Sequence, residues 1–311
     1  MVLKSKRVVN PVLTKLSQGY SNAAYVGKYL FPETEVEKEG LQIPQFGADH
    51  FKLWQTKRAP RAKSNRGEIS DPSMVDVVLQ EHDFELPIDT REKDESMFPE
   101  ERKKAKATQD VLELGKEYAQ ASLAQNPDNY PSGHKVTLTS TDKWSNHVED
   151  SNLSDPLSDV ETGKEVIRGK IGRRPNVAIM GASCYADLKF HPGLLKKLET
   201  TRKGIITIDD LKELFGIPNI YIGEAVYAND AGVLGNDVWG ESFQMACVPQ
   251  QEPSERDAEE PCFGRTLKKK GYPETDSYVE NGGKVQLVRN TDIYKVAMTG
   301  AVAGYIISDT H

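Results

Sequence analysis

Residues 41–90 read LQIPQFGADHFKLWQTKRAPRAKSNRGEISDPSMVDVVLQEHDFELPIDT, and this stretch decides the fold. Leu41 and Ile43, then Phe51, Leu53 and Trp54, give a strand-like signal. Further on, Val75, Val77 and Leu79 alternate with Asp76, Val78 and Gln80. Phe84, Leu86 and Ile88 alternate with Asp83, Glu85 and Asp89. Alternation with a period of two marks strands with one buried face. Between these strands lies Gln55 to Ser73, almost wholly polar. It carries Lys57, Arg58, Arg61, Lys63 and Arg66, and Pro60 and Pro72 interrupt any regular ladder. So long a connection without apolar residues is unusual inside a compact domain. A polar hairpin of this length cannot bury itself. It stands free in the monomer or is held by a neighbour, with Trp54 at its base as the best anchor for such a contact.

On the N-terminal side, residues 1–40 carry little core of their own. Asn10-Pro11 is a turn signal, and Pro32 ends the short apolar run Tyr25 to Phe31. Tyr20, Tyr25, Tyr29 and Phe31 supply aromatic surface. Such a segment either tucks against its own domain or reaches a neighbour as an arm.

On the C-terminal side, the spacing predicts one long helix over 96–125. Ser96 is the candidate N-cap, Pro99 fits the first turn, and Glu100 and Glu101 suit the positive end of the dipole. Asn126-Pro127 stops it. Its stripe of Ala105, Thr108, Val111, Leu112, Gly115, Tyr118, Ala119, Ser122 and Leu123 is narrow and built of small residues, which suits a helix lying across a sheet. Residues 130–162 are loop-rich, with a short strand over 136–139. From Asp159 the pattern becomes α/β. A helix over 160–170 precedes a buried strand over 176–180 and a helix from Ser183, its cap, to Phe190. Another helix starts after Pro192, and Asp209 is the candidate cap of a helix over 210–215. Strands follow at 220–222, 243–248, 284–288 and 293–296, with Gly282-Gly283 suited to a hairpin turn. Strands alternating with helices imply a sheet covered by helices.

Forty Lys and Arg against 47 Asp and Glu give a net charge of −7. A chain that grips nucleic acid by charge neutralisation normally shows the opposite sign or a dense basic stripe, so tight direct binding is not expected. Cys184, Cys247 and Cys262 are odd in number and lack CxxC spacing. They suggest neither a disulfide framework nor a zinc site, and suit folding in a reducing cytoplasm. The N-terminus is basic but lacks the continuous apolar core of a secretory signal. The longest mostly apolar stretch, Val296 to Ile307, is broken by Thr299, Gly300 and Gly304 and is too short to span a bilayer.

No constellation points to catalysis, a cofactor or a metal. Val177 to Ser183 is a strand entering Gly-Ala-Ser before a helix, yet it has one glycine where a dinucleotide fingerprint needs three. Gly163-Lys164 and Gly169-Lys170 lack the rest of a phosphate loop. Cys184 and His191 are seven apart, about 10 Å by helix rise and too far for a nucleophile–base hydrogen bond. His50 and His82 could approach across the hairpin without a third ligand. Trp54, Trp144 and Trp239 read as packing anchors.

The order of the pieces resembles a known family. RPNVAIMGASCYADLKFHPGLLKKLE (174–199) and GIITIDDLKELFGIPNIYIGEAVYA (204–228) resemble the axial domain of tailed-bacteriophage major capsid proteins of the Hong-Kong-97-like fold. SNAAYVGKYLFPETEVEKEGLQIPQFG (21–47) looks like their N-terminal arm entering the extended loop. ENGGKVQLVRNTDIYKVAMTGAVAGYIISD (280–309) looks like their closing strands. The resemblance covers about residues 10–308. It implies an α+β chain: an N-terminal arm (1–40), an extended loop hairpin (41–90), a peripheral domain (91–144) with its spine helix over 96–125, an α/β axial domain (145–275) and a return to the peripheral domain (276–311). It implies a structural protein of the virion, assembled in the host cytoplasm. Pentamers and hexamers would close an icosahedral shell around double-stranded DNA, which the shell encloses without reading its sequence. Scaffolding, decoration and portal proteins are the implied partners, with no membrane and no cofactor. The arm signal starts near Asn10, which implies a separate scaffolding protein or none. Some members crosslink a loop lysine to a neighbour's asparagine. Lys57 and Lys63 lie in the corresponding tip, but no partner asparagine aligns. The intersubunit candidates are Trp54, Lys57, Arg58, Arg61, Lys63, Arg66, Tyr20 and Tyr25, with the run Glu252, Glu255, Asp257, Glu259 and Glu260 as an acidic partner for the tip. Two other readings stay open: an encapsulin-like compartment on the same fold, and a cytoplasmic nucleotide-binding α/β enzyme.

Overall fold

Two five-stranded sheets share most of the strands, and one long helix touches the territory of both. The computed structural model describes residues 22–45, 52–68, 73–96, 99–147, 154–198, 204–229, 232, 235–249 and 261–311. In chain order its elements begin with α1 (Gly27–Leu30), β1 (Glu33–Val36), β2 (Gly40–Gln45), β3 (Ser73–Val78), β4 (Gln80–Asp89), α2 (Thr90–Glu95), α3 (Glu100–Gln125) and β5 (Lys135–Thr137). There follow α4 (Pro156–Ile171), β6 (Val177–Gly181), α5 (Ala182–Lys189), α6 (Pro192–Lys197), α7 (Ile208–Phe215), β7 (Asn219–Gly223), β8 (Val226–Tyr227), β9 (Asn236–Asp237) and β10 (Ser242–Ala246). The chain closes with β11 (Arg265–Lys269), β12 (Glu274–Glu280), β13 (Val285–Ala297) and β14 (Gly304–Ser308).

The first sheet is organised by β13. The two strands expected at 284–288 and 293–296 are one, because the polar residues between them, Asn290 and Asp292, are buried rather than in a turn. Along one edge β13 pairs antiparallel with the whole of β4. Along the other it pairs with β12 and then β11, and β1 adds to β11 in parallel. Gly282 and Gly283 lie in the connection of the β12–β13 hairpin. This sheet therefore takes strands from stretches the sequence divides among arm (33–36), hairpin (80–89) and axial domain (265–269). The polar runs of β1, β11 and β12 gave no strand signal.

The second sheet runs β5–β14–β10–β6–β7. β6 and β7 are parallel, with α5, α6 and α7 between them in sequence, as a crossover requires. β6 and β10 are buried throughout, which is why Val177 to Met180 reads as a continuous apolar run instead of an alternation. Trp144 and Phe215 stand edge-on to Phe243, with ring centroids 5.6 and 5.8 Å away. Trp239 is also fully buried, as the packing reading of both tryptophans expects.

Several local expectations shift by a few residues. Pro99 disfavours a helical residue before it, so α3 starts at Glu100 with Pro99 as its cap. Ser96 instead ends α2, its hydroxyl donating to Glu100 Oε1 at 2.9 Å. Gly181 takes the cap position of α5 in place of Ser183. Thr207, not Asp209, caps α7 in a reciprocal box with Asp210, because Asp210 at the third helical position can reach back to the Thr207 N–H. The buried face of α3 is also rotated from the expected stripe. Thr108, Glu117, Gln120, Ala121 and Ala124 are covered, while Val111 and Tyr118 are each 47% exposed. Side-chain hydrogen bonds join the small apolar contacts of Ala121 and Ala124 in holding that face down. Phe31 is fully buried, so this part of the arm tucks against its own chain. Residues 52–54 form no strand, and Leu53 is fully exposed. Phe51 lies outside the described residues.

Candidate intersubunit surfaces

The hairpin begins as a regular ladder in which Gly40 to Gln45 pairs with Val78 to Ser73. Its root is apolar. Val77, Leu79, Leu267 and Ile293 are buried together, with Val36, Leu41 and Ile43 packed against them. These residues alternate with polar ones, so only one face of the root touches the first sheet. Past the root the character changes. Every residue of 52–68 is exposed. The chain reverses at Pro60 and Arg61, where Ala62 N–H donates to Ala59 O and Arg58 Nη1 donates to Ala62 O at 2.7 Å. Asn65 Nδ2 ties the two sides by donating to Gln55 O and Lys57 O. The Trp54 ring lies against Gly67, with Lys52 Nζ 4.6 Å from its centroid.

Lys57, Arg61, Lys63 and Arg66 thus project from a hairpin with internal order but no core, and none has an acidic partner among the described residues. Trp54 is 37% exposed. The acidic run at 252–260 and His50 lie outside the described residues, as does Tyr20. Tyr25 is half-buried against its own core. Burial raises its pKa, Asn22 opposes this through a hydrogen bond, and the charges of Glu113, Asp110 and Glu117 add to the rise.

The arm segment that follows Tyr25 is held within the chain by a residue that periodicity does not reveal. The buried Glu117 carboxylate accepts from the N–H of Val26 and Gly27, each at 3.0 Å, and from Trp239 Nε1 at 2.7 Å. One acid therefore joins the arm, α3 and the loop before β10. One turn on, Gln120 Nε2 donates to Thr266 Oγ1, which donates to Phe31 O. Gln125 receives Gly240 N–H at 2.7 Å and donates to Val238 O. A Cβ on Gly27 would come within 2.2 Å of the Gln120 side chain, so this approach needs glycine. Polar residues on the covered face of a helix look like solvent residues in a sequence, and for that reason Glu117 and Gln120 were missed.

Beside this network lies a charged cluster. Lys116 Nζ is 2.7 Å from Glu33 and 4.0 Å from Asp292, and Lys268 lies 3.8 Å from Glu33. Burial works against the Glu33 charge, but the Lys116 hydrogen bond and the two lysine charges outweigh it and lower its pKa. Burial raises that of Asp292 against the pull of Lys268 and Lys116. His82 stacks on Tyr294 at 4.3 Å, and its pKa is lowered by burial.

The chemistry-like signals dissolve into packing. A Cβ on Gly181 would meet the Gly240 carbonyl at 2.0 Å, so the mouth of the Val177 to Ser183 turn is filled by protein backbone. Cys184 and His191 lie in different elements, since α5 ends at Lys189. Burial pushes the Cys184 thiol up to about 12, and burial together with His147 lowers His191 to about 4. Among the described residues no group of three or more His, Cys, Asp or Glu could hold a metal, and no helix is long and apolar enough to cross a membrane.

No family model matches the chain. It is 47% identical over 307 residues to the major capsid protein of Burkholderia phage BcepMu, covering 98% of each chain. Among solved structures it resembles a phage-related protein of Bordetella bronchiseptica, at 32% identity and TM-score 0.73 over 98% of each chain. The capsid of cyanophage P-SCSP1u (9% identity, TM-score 0.60, 93% of this chain and 89% of that one) shares the fold. So does the encapsulin of Synechococcus elongatus (12%, TM-score 0.53, 97% and 95%).

Proposed function

The chain belongs to the major capsid proteins of tailed phages, and from that premise we propose that copies of it, in rings of five and six, close an icosahedral shell around double-stranded phage DNA. The role is assembly and not catalysis. The virion is its destination and the host cytoplasm its place of folding. Scaffolding, decoration and portal proteins are the partners proposed for it. Residues 1–40 act as the arm and 41–90 as the extended loop. Residues 91–144 and 276–311 build the peripheral part around the first sheet, apart from β5 and β14, which pair in the second. Residues 145–275 build the axial part around the second sheet, apart from β11, which pairs in the first.

The observation that carries this reading is the hairpin. Residues 52–68 form an ordered turn that buries nothing on its own body, while the body's core is complete without it. Trp54, Lys57, Arg58, Arg61, Lys63 and Arg66 are its contact residues to a neighbour. Many modest contacts, each worth roughly 0–1 kcal/mol when exposed, add up because every subunit repeats them.

Negative-stain microscopy and sedimentation of the full chain, alone and with a scaffolding protein, test the proposal. Closed particles are the expected result. A compact monomer at high concentration, with residues 52–68 protected from proteolysis, would overturn it. Particles carrying a protein cargo and no nucleic acid would favour the compartment reading.

A further inference from the structure

We propose that residues 1–21 dock in their own chain on the exposed flank of α3, with Val12, Leu13 and Leu16 laid along Val111, Gly115 and Tyr118. The inference goes beyond the shell reading and concerns the single chain. It starts from a stripe that the sequence marks as buried and the fold leaves open. Val111, Gly115, Tyr118 and Ser122 recur at i, i+4, i+7 and i+11, the spacing of one helix face. The face of α3 that meets its own body is a different one, carrying Glu117, Gln120, Ala121 and Ala124. Val111 and Tyr118 stay 47% exposed, and Gly115 and Ser122 are exposed with them. A Cβ on Gly115 would meet nothing within 4 Å, so a notch lies between the two large side chains.

A lone exposed valine or tyrosine is ordinary, but this flank extends beyond the helix. Tyr227 stands edge-on to Tyr118, with ring centroids 5.2 Å apart, and carries the aromatic surface onto β8. What covers it follows from where the chain arrives. Asn22 is clamped to β8: its Nδ2 donates to Val226 O at 2.8 Å, and its Oδ1 accepts from Val226 N–H at 3.2 Å. The next residue of β8 is Tyr227, the neighbour of Tyr118. The chain before Asn22 therefore starts at one end of the stripe. From Tyr118 back to Val111 is about 10 Å of helix rise, well within the reach of that much chain. A segment tethered so close meets the flank at an effective concentration on the order of mM, which a second copy in dilute solution does not match.

The composition of the segment matches the flank. Val9, Val12, Leu13, Leu16 and Tyr20 recur at three- and four-residue spacing, the pattern of one apolar face. Its charged residues are Lys4, Lys6, Arg7 and Lys15, with no Asp or Glu among them. The rim of the flank has the opposite sign. Asp110 and Glu113 lie on α3 close enough to Tyr25 for their charges to act on it. Glu224 stands two residues before Val226, and Asp237 pairs with Val226 across β8 and β9. These four carboxylates make no ion pair among the described residues. An apolar segment with basic flanks thus answers both the aromatic centre and the acidic rim, and an acidic segment would be repelled.

The test uses the full, unassembled chain. L13C/G115C should form a disulfide within one chain under mild oxidation, read by non-reducing electrophoresis and by mass spectrometry of the linked tryptic peptides. Cys184, Cys247 and Cys262 are buried and do not compete. L13C/E274C, with its second cysteine on exposed β12, should not link. As a second readout, V111D/Y118D should speed tryptic cleavage after Lys15 at least about tenfold over the parent, because the docked segment is then released. Melting of each variant serves as the folding control. Equal linking at Gly115 and at Glu274 would mean random collision and overturn the docking site. Cleavage after Lys15 that is equally fast in the parent and in V111D/Y118D would overturn it as well. If L13C on a tagged copy links to G115C on an untagged one, and only in assembled particles, the segment covers a neighbour and docking in its own chain is overturned. The shell reading survives each of these failures, since it is tested by particle formation.

Discussion

The Glu117 network and the 52–68 hairpin are both polar, yet they sit at opposite ends of one scale. Around Glu117 each donor meets an acceptor inside the same chain: two backbone N–H groups and an indole share one buried carboxylate. In the hairpin tip, internal bonds fix the shape while four cations face water. The first region is finished within one molecule. The second has order without burial, the feature on which its proposed intersubunit role rests. The contrast separates two kinds of defect. Damage at Glu117 should appear as lost stability of the single chain. Damage at the tip should leave that stability intact and appear only in assembly.

The largest effect is expected at Glu117. Glu117→Ala leaves the N–H of Val26, the N–H of Gly27 and Trp239 Nε1 buried without an acceptor. Each stranded donor costs about 1–3 kcal/mol, so a loss of at least about 3 kcal/mol follows for the three, read in denaturant unfolding of the unassembled chain. A loss under about 1 kcal/mol would mean that water or local rearrangement replaces the carboxylate, and the contrast would fail on this side.

Trp54→Ala sharpens the other side. The ring packs on Gly67 and beneath Lys52 but touches no core. Unfolding of the single chain should shift by less than about 0.5 kcal/mol, as for surface substitutions generally. Particle yield should drop about tenfold, as when an aromatic anchor is removed from an interface. A destabilised monomer with normal assembly would reverse the assignment.

How legible these regions were differs for a physical reason. The hairpin could be read directly, because alternating apolar residues around a long polar run have few structural solutions. The second sheet was legible for the same kind of reason: Val177 to Met180 is too apolar to lie anywhere but inside. The first sheet was read only in part. β11 and β12 are strands because β13 offers them an edge, a tertiary cause that leaves no local trace in RTLKK or ETDSYVE. The face of α3 was misread because Glu117 and Gln120 stand where a periodicity argument looks for leucine. Of the proposed contact residues, the cations of the tip were visible at once.

The smallest effect tests whether the finished region is fully optimised. Asp292 is buried, its Oδ1 lacks a hydrogen-bond partner, and Lys116 is 4.0 Å from its other oxygen. Lys268 and Lys116 favour its charge, Glu33 opposes it, and His82 stands close enough to feel it. Burial prevails and the pKa is raised, so folding favours the protonated acid. That contribution is complete below the ordinary carboxyl value of about 3.9 and is lost as pH rises through the raised one. Glu33 runs the other way. Its lowered pKa contributes stability above its ordinary value, lost as pH falls through the lowered one. Asp292→Asn removes the first term and keeps the second. The variant should be more stable than the parent at pH 7, by about 0.5–1 kcal/mol, and the gap should close as the pH approaches about 3.9. A variant less stable at pH 7 would show that the two lysines outweigh burial. Asp292 would then hold the first sheet to α3 as Glu117 holds the arm, instead of being an ionised acid that the fold tolerates.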